Sequence, residues 1–376
     1  MYYSNVRIGS TIILLSISMV TPKLSAMEAN FGGSIKTIAI YDSNASGIGV
    51  NIPANALFGT STESDVKIDA TLSQFKADFE QELSNNTVIS SHFVMDFNEG
   101  NDSRMSPRLR EAYLNWDLGL GQLKVGQTWS AFMDMRNYPL SLAEPTLSGV
   151  VFMRQPQLRW SQTIDNFQYD LALESGTNTD ITNTSEDELD TTSSLPEFIA
   201  AVEWSDNSSW LRLSSAIGQS KARYANHSYK KVKYGIQASA GFTLSNGDQF
   251  TLLMNHGKGM DRYLLGISGT GATWNATSKR LDMRKTNSAM VSYTHNWQPT
   301  LKSVLAYGHS QSEPLSWQHS IENDTFTESN YGMVNLLWSL EDNLTLGLEY
   351  NYSHYKRSLK SDSDNHRLML GIEWKY

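Results

Sequence analysis

Val232-Lys233-Tyr234-Gly235-Ile236-Gln237-Ala238-Ser239-Ala240-Gly241-Phe242-Thr243 alternates without a slip over twelve residues. Val232, Tyr234, Ile236, Ala238, Ala240 and Phe242 form an apolar set, and the residues between them are polar or glycine. A period of two is the signature of a strand with two unlike faces. Soluble strands average about five or six residues, whereas crossing a bilayer at about 45° takes about 9 to 11. This segment is therefore long enough to span a membrane, with one face to lipid and the other to water.

The same rhythm recurs along the chain. Phe167, Tyr169, Leu171 and Leu173 alternate with Gln168, Asp170, Ala172 and Glu174, and Leu344, Leu346, Leu348, Tyr350 and Tyr352 alternate with Thr345, Gly347, Glu349 and Asn351. The C-terminus runs His366, Leu368, Leu370, Ile372, Trp374, Tyr376 in one phase and ends on an aromatic residue, as barrel-assembly substrates do. Short polar breaks around Asn85, Gly119, Asp165, Asn207, Asn246, Pro299 and Asn343 read as periplasmic turns. Longer ones at 43–64, 98–106, 129–149, 175–196, 219–230, 258–286, 310–328 and 357–364 read as outer loops. The expected fold is all-β, a transmembrane antiparallel barrel of about sixteen strands, with fourteen or eighteen as the neighbouring counts. Residues 31–41 form a clear first strand, and 66–80 slip phase near Leu72. A soluble sandwich or propeller is the competing reading, since its strands alternate too.

Arg7 precedes an apolar run at 12–20, and Leu24-Ser25-Ala26 offers a small residue for cleavage. Residues 1–26 are expected to be a secretory signal peptide and 27–376 a single barrel domain. Cleavage removes two of the 30 Lys and Arg and none of the 39 Asp and Glu, moving the net charge from −9 to −11. Nucleic acid is not an expected partner of so acidic an exported chain. Outer-membrane lipid and lipopolysaccharide are. Cysteine is absent, which excludes disulfides and thiolate metal sites. The eight histidines are scattered singly, without an HExxH pair, a GxSxG elbow or a P-loop nearby, and no cofactor is implied. His354 and His366 share the lipid-facing phase with serines nearby, which keeps a lipid hydrolase as a minor alternative to interfacial histidines. The acidic run Asp180, Glu186, Asp187, Glu188, Asp190 reads as a solvated loop, with calcium binding as its alternative.

The informative constellation is basic. Arg108 and Arg110 lie just before the third outer loop's first strand, and Arg154 and Arg159 just after the loop. Strict alternation would put Arg154 with Leu158 and Trp160 toward lipid, where a charge costs about 2 to 4 kcal/mol at mid-membrane. A bulge at Pro156 is expected to flip the phase and turn both Arg154 and Arg159 inward. Arg108 and Arg110 share a phase with Ala112 and Leu114, so they need a similar reset or a place above the hydrocarbon. The loop between carries Asp134, Arg136, Pro139, Glu144 and Pro145. Folded into the lumen, it would set these charges against the wall arginines as a constriction that selects by sign. The plainer reading is that the arginines pair with Glu111, Asp134 or Glu144 to hold the loop. Alternation alone assigns Lys36, Lys76, Asp78, Asp96, Lys124, Asp170, Glu203, Arg212, Lys233 and Glu349 to the lumen.

Three motifs in order, Ser106-Pro107-Arg108-Leu109-Arg110-Glu111-Ala112-Tyr113, Gly126-Gln127-Thr128-Trp129-Ser130-Ala131-Phe132 and Phe152-Met153-Arg154-Gln155-Pro156-Gln157-Leu158-Arg159, resemble the DcaP-like porins of Gram-negative outer membranes. The resemblance implies a trimeric sixteen-stranded porin whose arginine-lined constriction admits small anions such as dicarboxylates. It carries the constriction to Arg108, Arg110, Arg154 and Arg159. Two departures stand out: no coiled-coil extension precedes the barrel, and Asp69-Ala70-Thr71-Leu72-Ser73-Gln74 replaces a basic second strand. The expected function is passive diffusion of small hydrophilic solutes, with anions favoured. A non-transport barrel, an adhesin or structural protein binding through its loops, is the alternative. Lumen positions that are often Gly, Ser, Thr, Ala and Gln argue for an open bore rather than a plugged one.

Overall fold

The computed structural model describes residues 27–44, 49–51, 63–83, 87–98, 106–176, 181–183, 185–191, 195–267, 271–318, 325–359 and 362–376. The expected leader at 1–26, the turn residue Asn85, Asp180 and His319 lie outside them. Within them sixteen antiparallel strands close into one barrel. These are β1 (Glu28–Asp42), β2 in two pieces (Asp65–Asp69 and Gln74–Glu82), β3 (Val88–Asp96), β4 (Arg108–Asp117), β5 (Gln122–Trp129), β6 (Arg154–Ile164), β7 (Phe167–Glu174) and β8 (Glu197–Ser205). The second half comprises β9 (Ser209–Tyr224), β10 (His227–Thr243), β11 (Gln249–Lys258), β12 (Lys285–Gln298), β13 (Leu301–Ser312), β14 (Phe326–Glu341), β15 (Leu344–Arg357) and β16 (Ser363–Lys375). Closure runs through β1, which pairs with β16 from Ser34↔Lys375 to Asp42↔Arg367 and with both pieces of β2. A closed sheet leaves no edge, the condition for spanning lipid with strands.

The phase slip near Leu72 is real: β2 breaks at 70–73, where the Ser73 N–H donates to the Ala70 carbonyl at 3.1 Å. Leu72 turns inward there and packs with Ile38 and Ile40. Apolar members of the alternating sets face out, among them Tyr234, Ile236, Leu348 and Leu370. Phe242, Phe250 and Tyr293 stack in a row near the periplasmic turns, with centroids 5.1 and 4.4 Å apart. Such an aromatic girdle marks a membrane interface. His354 and His366 belong to a similar girdle, beside Tyr350 and Tyr352. The Tyr350 hydroxyl lies 2.7 Å from His366 Nδ1, and Asp362 lies 3.4 Å from His354 Nε2.

Two outer connections differ from expectation. Residues 219–230 are not an open loop, because β9 and β10 stay paired out to Tyr224↔His227. Ala225 and Asn226, both at positive φ (46° and 66°), close the hairpin, the geometry of a two-residue primed turn. The loop after β11 folds inward rather than out, burying Tyr263, Leu264 and Ile267.

Candidate functional site

The chain leaves the wall after Trp129 and rejoins it at Arg154, and the loop between, termed L3, crosses the lumen. Polar wall residues suspend it by its backbone. Glu174 on β7 accepts from Ser130 Oγ and the Ala131 N–H, both at 2.7 Å. Ser214 on β9 and Gln237 on β10 donate to the Phe132 carbonyl at 2.9 and 2.7 Å. Ser288 on β12 reaches the Gly149 carbonyl at 2.8 Å, and Ser329 on β14 the Leu147 carbonyl at 3.1 Å. Glu349 on β15 accepts from the Leu142 N–H at 2.8 Å. On β13 the loop comes so close to Gly308 that a Cβ there would sit 2.0 Å from the Ser148 carbonyl oxygen. The inward loop after β11 clamps L3 from the other side, with Leu265 N–H to Val150 carbonyl at 3.0 Å and Phe152 N–H to Tyr263 carbonyl at 2.7 Å. Its Arg262 is held by Glu197, which also takes Lys233, at 2.8 and 2.5 Å.

This suspension makes the lumen lopsided. Inward residues of β7 to β16 such as Asp170, Gln237 and Glu349 are buried, at 1%, 0% and 0% exposure. On β2, the inward Lys76 and Asp78 stay exposed, and on β3 to β5 His92, Tyr113 and Lys124 stay partly so. The free passage therefore runs between L3 and the wall of β2 to β5.

Arg108 and Arg110 face that passage because β4 carries a bulge. Val94 pairs with Glu111 but Met95 pairs with Leu109, leaving Arg110 as the extra residue. The reset points Arg108 inward while Leu109 stays on the lipid side. Both arginines converge on Asp96, at 2.7 and 2.6 Å, and both reach Glu144 of L3, at 3.7 and 3.8 Å. No bulge exists at Pro156, since β5 and β6 pair in unbroken register from Gln122↔Ser161 to Trp129↔Arg154. That expectation is corrected: plain alternation puts Arg159 inward with Gln155 and Gln157. Arg154 escapes the wall's parity by standing at the end of β6 where the loop rejoins.

Trp129 joins the two ends of the loop. Its ring lies 6.0 Å from the Arg110 guanidinium and 4.8 Å from that of Arg154, and Phe152, stacked on Tyr138, lies 5.9 Å from Arg154. Arg154 has no carboxylate within ion-pair distance among the described residues. Among the described residues its cluster sets three guanidinium groups, those of Arg108, Arg110 and Arg154, against two carboxylates, those of Asp96 and Glu144. Toward the periplasm Lys124 stands directly opposite Arg159. The Lys124 ammonium sits 4.3 Å over the Tyr113 ring, and Arg159 donates to Gln157 Oε1 at 2.8 Å and to the Trp129 carbonyl. Neither has an ion-pair partner among the described residues.

The remaining charges hold the loop. Arg136 pairs with Asp134 at 3.0 Å and Glu203 at 2.6 Å. Arg212, which alternation assigns to the lumen, is buried beneath L3, bound to Asp170 at 2.9 Å and the Ala131 carbonyl at 2.9 Å. Glu111 takes the Thr128 hydroxyl at 2.6 Å rather than an arginine. Sequence reasoning named Asp96 only as a lumen charge and missed its pairing with Arg108. It also missed Tyr138 and Phe152, which carry no charge signal. The described residues hold no cluster of His, Asp and Glu fit for a metal.

A family model described as DcaP outer membrane protein matches residues 21–371. The outer membrane channel DcaP of Acinetobacter baumannii shares this fold with a TM-score of 0.81 at 18% identity, covering 93% of this chain and 97% of that one. An anion-selective porin from Comamonas acidovorans superposes with a TM-score of 0.62 at 11% identity over 93% of this chain and 100% of that one. A trimer form of OmpT from Vibrio cholerae does so with a TM-score of 0.59 at 10% identity, covering 94% and 100%. No curated protein matches in sequence. With the family model covering nearly the whole chain and the barrel closed around an inward third loop, the chain belongs to the DcaP outer membrane protein family and resides in the outer membrane.

Proposed function

We propose that this protein is a passive diffusion porin for small hydrophilic solutes, that it favours small anions such as dicarboxylates, and that it works as a homotrimer. Residues 1–26 serve in this reading as the export leader. One observation carries the anion preference: Arg154, Arg159 and Lys124 border the free passage without a paired carboxylate among the described residues. A cation in a narrow, partly desolvated gap acts on a passing ion at a few ångströms, where the interaction is about 4 kcal/mol at an effective dielectric of about 20. Solutes move down their own gradient, so no cofactor and no catalytic turnover enter. The Comamonas acidovorans porin, anion-selective by its description, and the trimer form of OmpT share the fold and agree with this reading.

Reversal potential in a KCl gradient across a planar bilayer tests it. Wild-type protein is expected to prefer chloride, and Arg154→Glu or Arg159→Glu to move the potential toward potassium. Glu188→Lys, at an exposed position in the outer loop after β7, should move it much less, because salt screens exposed charges. A larger shift from Glu188→Lys than from either arginine variant would make the arginines loop anchors only.

A further inference from the structure

The open wall of the passage carries an acid as well as cations. Asp78 on β2 stands directly opposite His92 on β3, and both point into the lumen. His92 Nδ1 lies 2.5 Å from Asp78 Oδ1. The carboxylate keeps 53% side-chain exposure and the imidazole 26%, so water and permeating ions reach both. Asp78 has no Lys or Arg within ion-pair distance among the described residues, which leaves His92 as its partner. On its other side His92 stands opposite Tyr113 of β4, with ring centroids 5.2 Å apart. The Lys124 ammonium lies 4.3 Å over that same phenol ring. The acid pair therefore adjoins Lys124 and Arg159, two of the cations on which the anion preference rests.

Imidazole is the side chain whose charge ordinarily changes between about pH 5 and 8. With it neutral the pair carries one negative charge, and with it protonated none. Carboxylates, ammonium groups and phenols ordinarily keep their charge across that range. The other charged and titratable groups facing His92 are of those kinds: Lys76 and Glu80 on either side of Asp78, Glu111 and Tyr113 on β4, and Lys124 on β5. Glu144 of L3 is engaged by Arg108 and Arg110. The remaining described histidines stand elsewhere. His256, His309, His354 and His366 are on the lipid side, His295 is beside Asp248 at a periplasmic turn, and His227 is at the tip of the outer hairpin.

We infer that Asp78 and His92 together set the strength of the passage's ion preference, and that taking up a proton at His92 strengthens its preference for anions. This rests on the anion-preferring porin reading and adds a dependence on pH to it. At neutral pH the Asp78 carboxylate offsets part of the attraction that Lys124 and Arg159 exert on an anion crossing the same gap. One proton from solvent, held on His92, cancels that offset.

Reversal potential in a KCl gradient, read on the full protein in planar bilayers at about pH 7.5 and again at about pH 5.5, tests it. The chloride-to-potassium permeability ratio of the wild type should rise about twofold, a modest factor because both groups are open to water and salt. His92→Gln should hold one ratio at both pH values. His92→Lys, charged throughout, should already show at the higher pH the ratio that the wild type reaches at the lower, and as a conducting pore it separates loss of the proton from failure to fold. Asp78→Asn should raise the ratio at the higher pH, and His354→Gln, on the lipid side, should follow the wild type. A wild type that prefers chloride equally at both pH values would overturn this inference and leave the porin reading standing. So would a pH response that survives in His92→Gln, or an Asp78→Asn ratio no higher than that of the wild type. A wild type without chloride preference at either pH would defeat the anion reading, and this inference with it.

Discussion

A buried carboxylate shared by two guanidinium groups is a costly arrangement to break, and Asp96 holds that position with 0% side-chain exposure. Removing one member of a buried ionic set leaves the others uncompensated, typically at about 3–5 kcal/mol. Asp96→Asn is therefore expected to lower the barrel's melting temperature in detergent. It should also raise anion preference, because Arg108 and Arg110 would then face the passage with one carboxylate fewer beside them, Glu144 lying at 3.7 and 3.8 Å. Reversal potential and thermal melting measured on the same sample check both halves, and an unchanged potential would mean that the two arginines do not face permeating ions. Among four arginines that look alike in sequence, the structure distinguishes two paired with a wall aspartate, one stacked on Trp129, and one tied to a backbone carbonyl. Nothing in the local sequence separates them, because the distinction depends on the register of β3 against β4 and on where L3 comes back to the wall.

The strand was the element most legible in the sequence, since burying one face in lipid and wetting the other writes a period of two directly into the residues. The break in β2 was legible for the same reason, at the point where Leu72 falls out of phase. The bulge was not. Pro156 has no N–H to give and suggested an interruption, yet the β5–β6 register runs straight through Gln127↔Pro156 while the extra residue sits at Arg110, which has no turn-forming character. The β9–β10 hairpin was missed because 219–230 is polar, as a strand rising above the membrane into water must be, and its turn lacks glycine. Thiol labelling tests the phase: cysteines at Tyr234, Ile236, Leu348 or Leu370 should resist a water-soluble reagent in intact outer membranes, and cysteines at Lys76 or Asp78 should react. Lys233→Cys and Glu349→Cys also face inward but lie beneath the inward loops at 2% and 0% exposure, so they should react slowly. Equal labelling of Tyr234→Cys and Asp78→Cys would rule out the barrel phase.

At the scale of the molecule, the average charge and the passage pull in opposite directions, and position decides between them. A net charge of −9 sits mostly in loops and turns, whereas Lys124, Arg154 and Arg159, which have no paired carboxylate among the described residues, lie beside the less covered side of the lumen. Trimer assembly belongs to the same scale: small outward residues Ala238, Ala240 and Ala289 permit close wall-to-wall approach, and the mass in mild detergent should be about three times that of one chain, a clean monomer counting against it. The inward loop makes the sharper test. The wall beneath L3 consists of residues such as Ser214, Gln237, Asn255, Ser288, Ser329 and Asn335, which bond its backbone now. Water can take over every one of those bonds, so excising residues 135–147 should leave a folded barrel rather than a collapsed one. Conductance should then rise severalfold as the passage widens across the whole bore. Selectivity should fall at the same time, because the wall cations would act through bulk water, where an interaction worth about 4 kcal/mol at an effective dielectric of about 20 drops to about 1 kcal/mol at 4 Å and is screened beyond about 8 Å. Unchanged conductance in the excised variant would mean that L3 does not narrow the conducting path, and the lopsided lumen would have no part in choosing the solute.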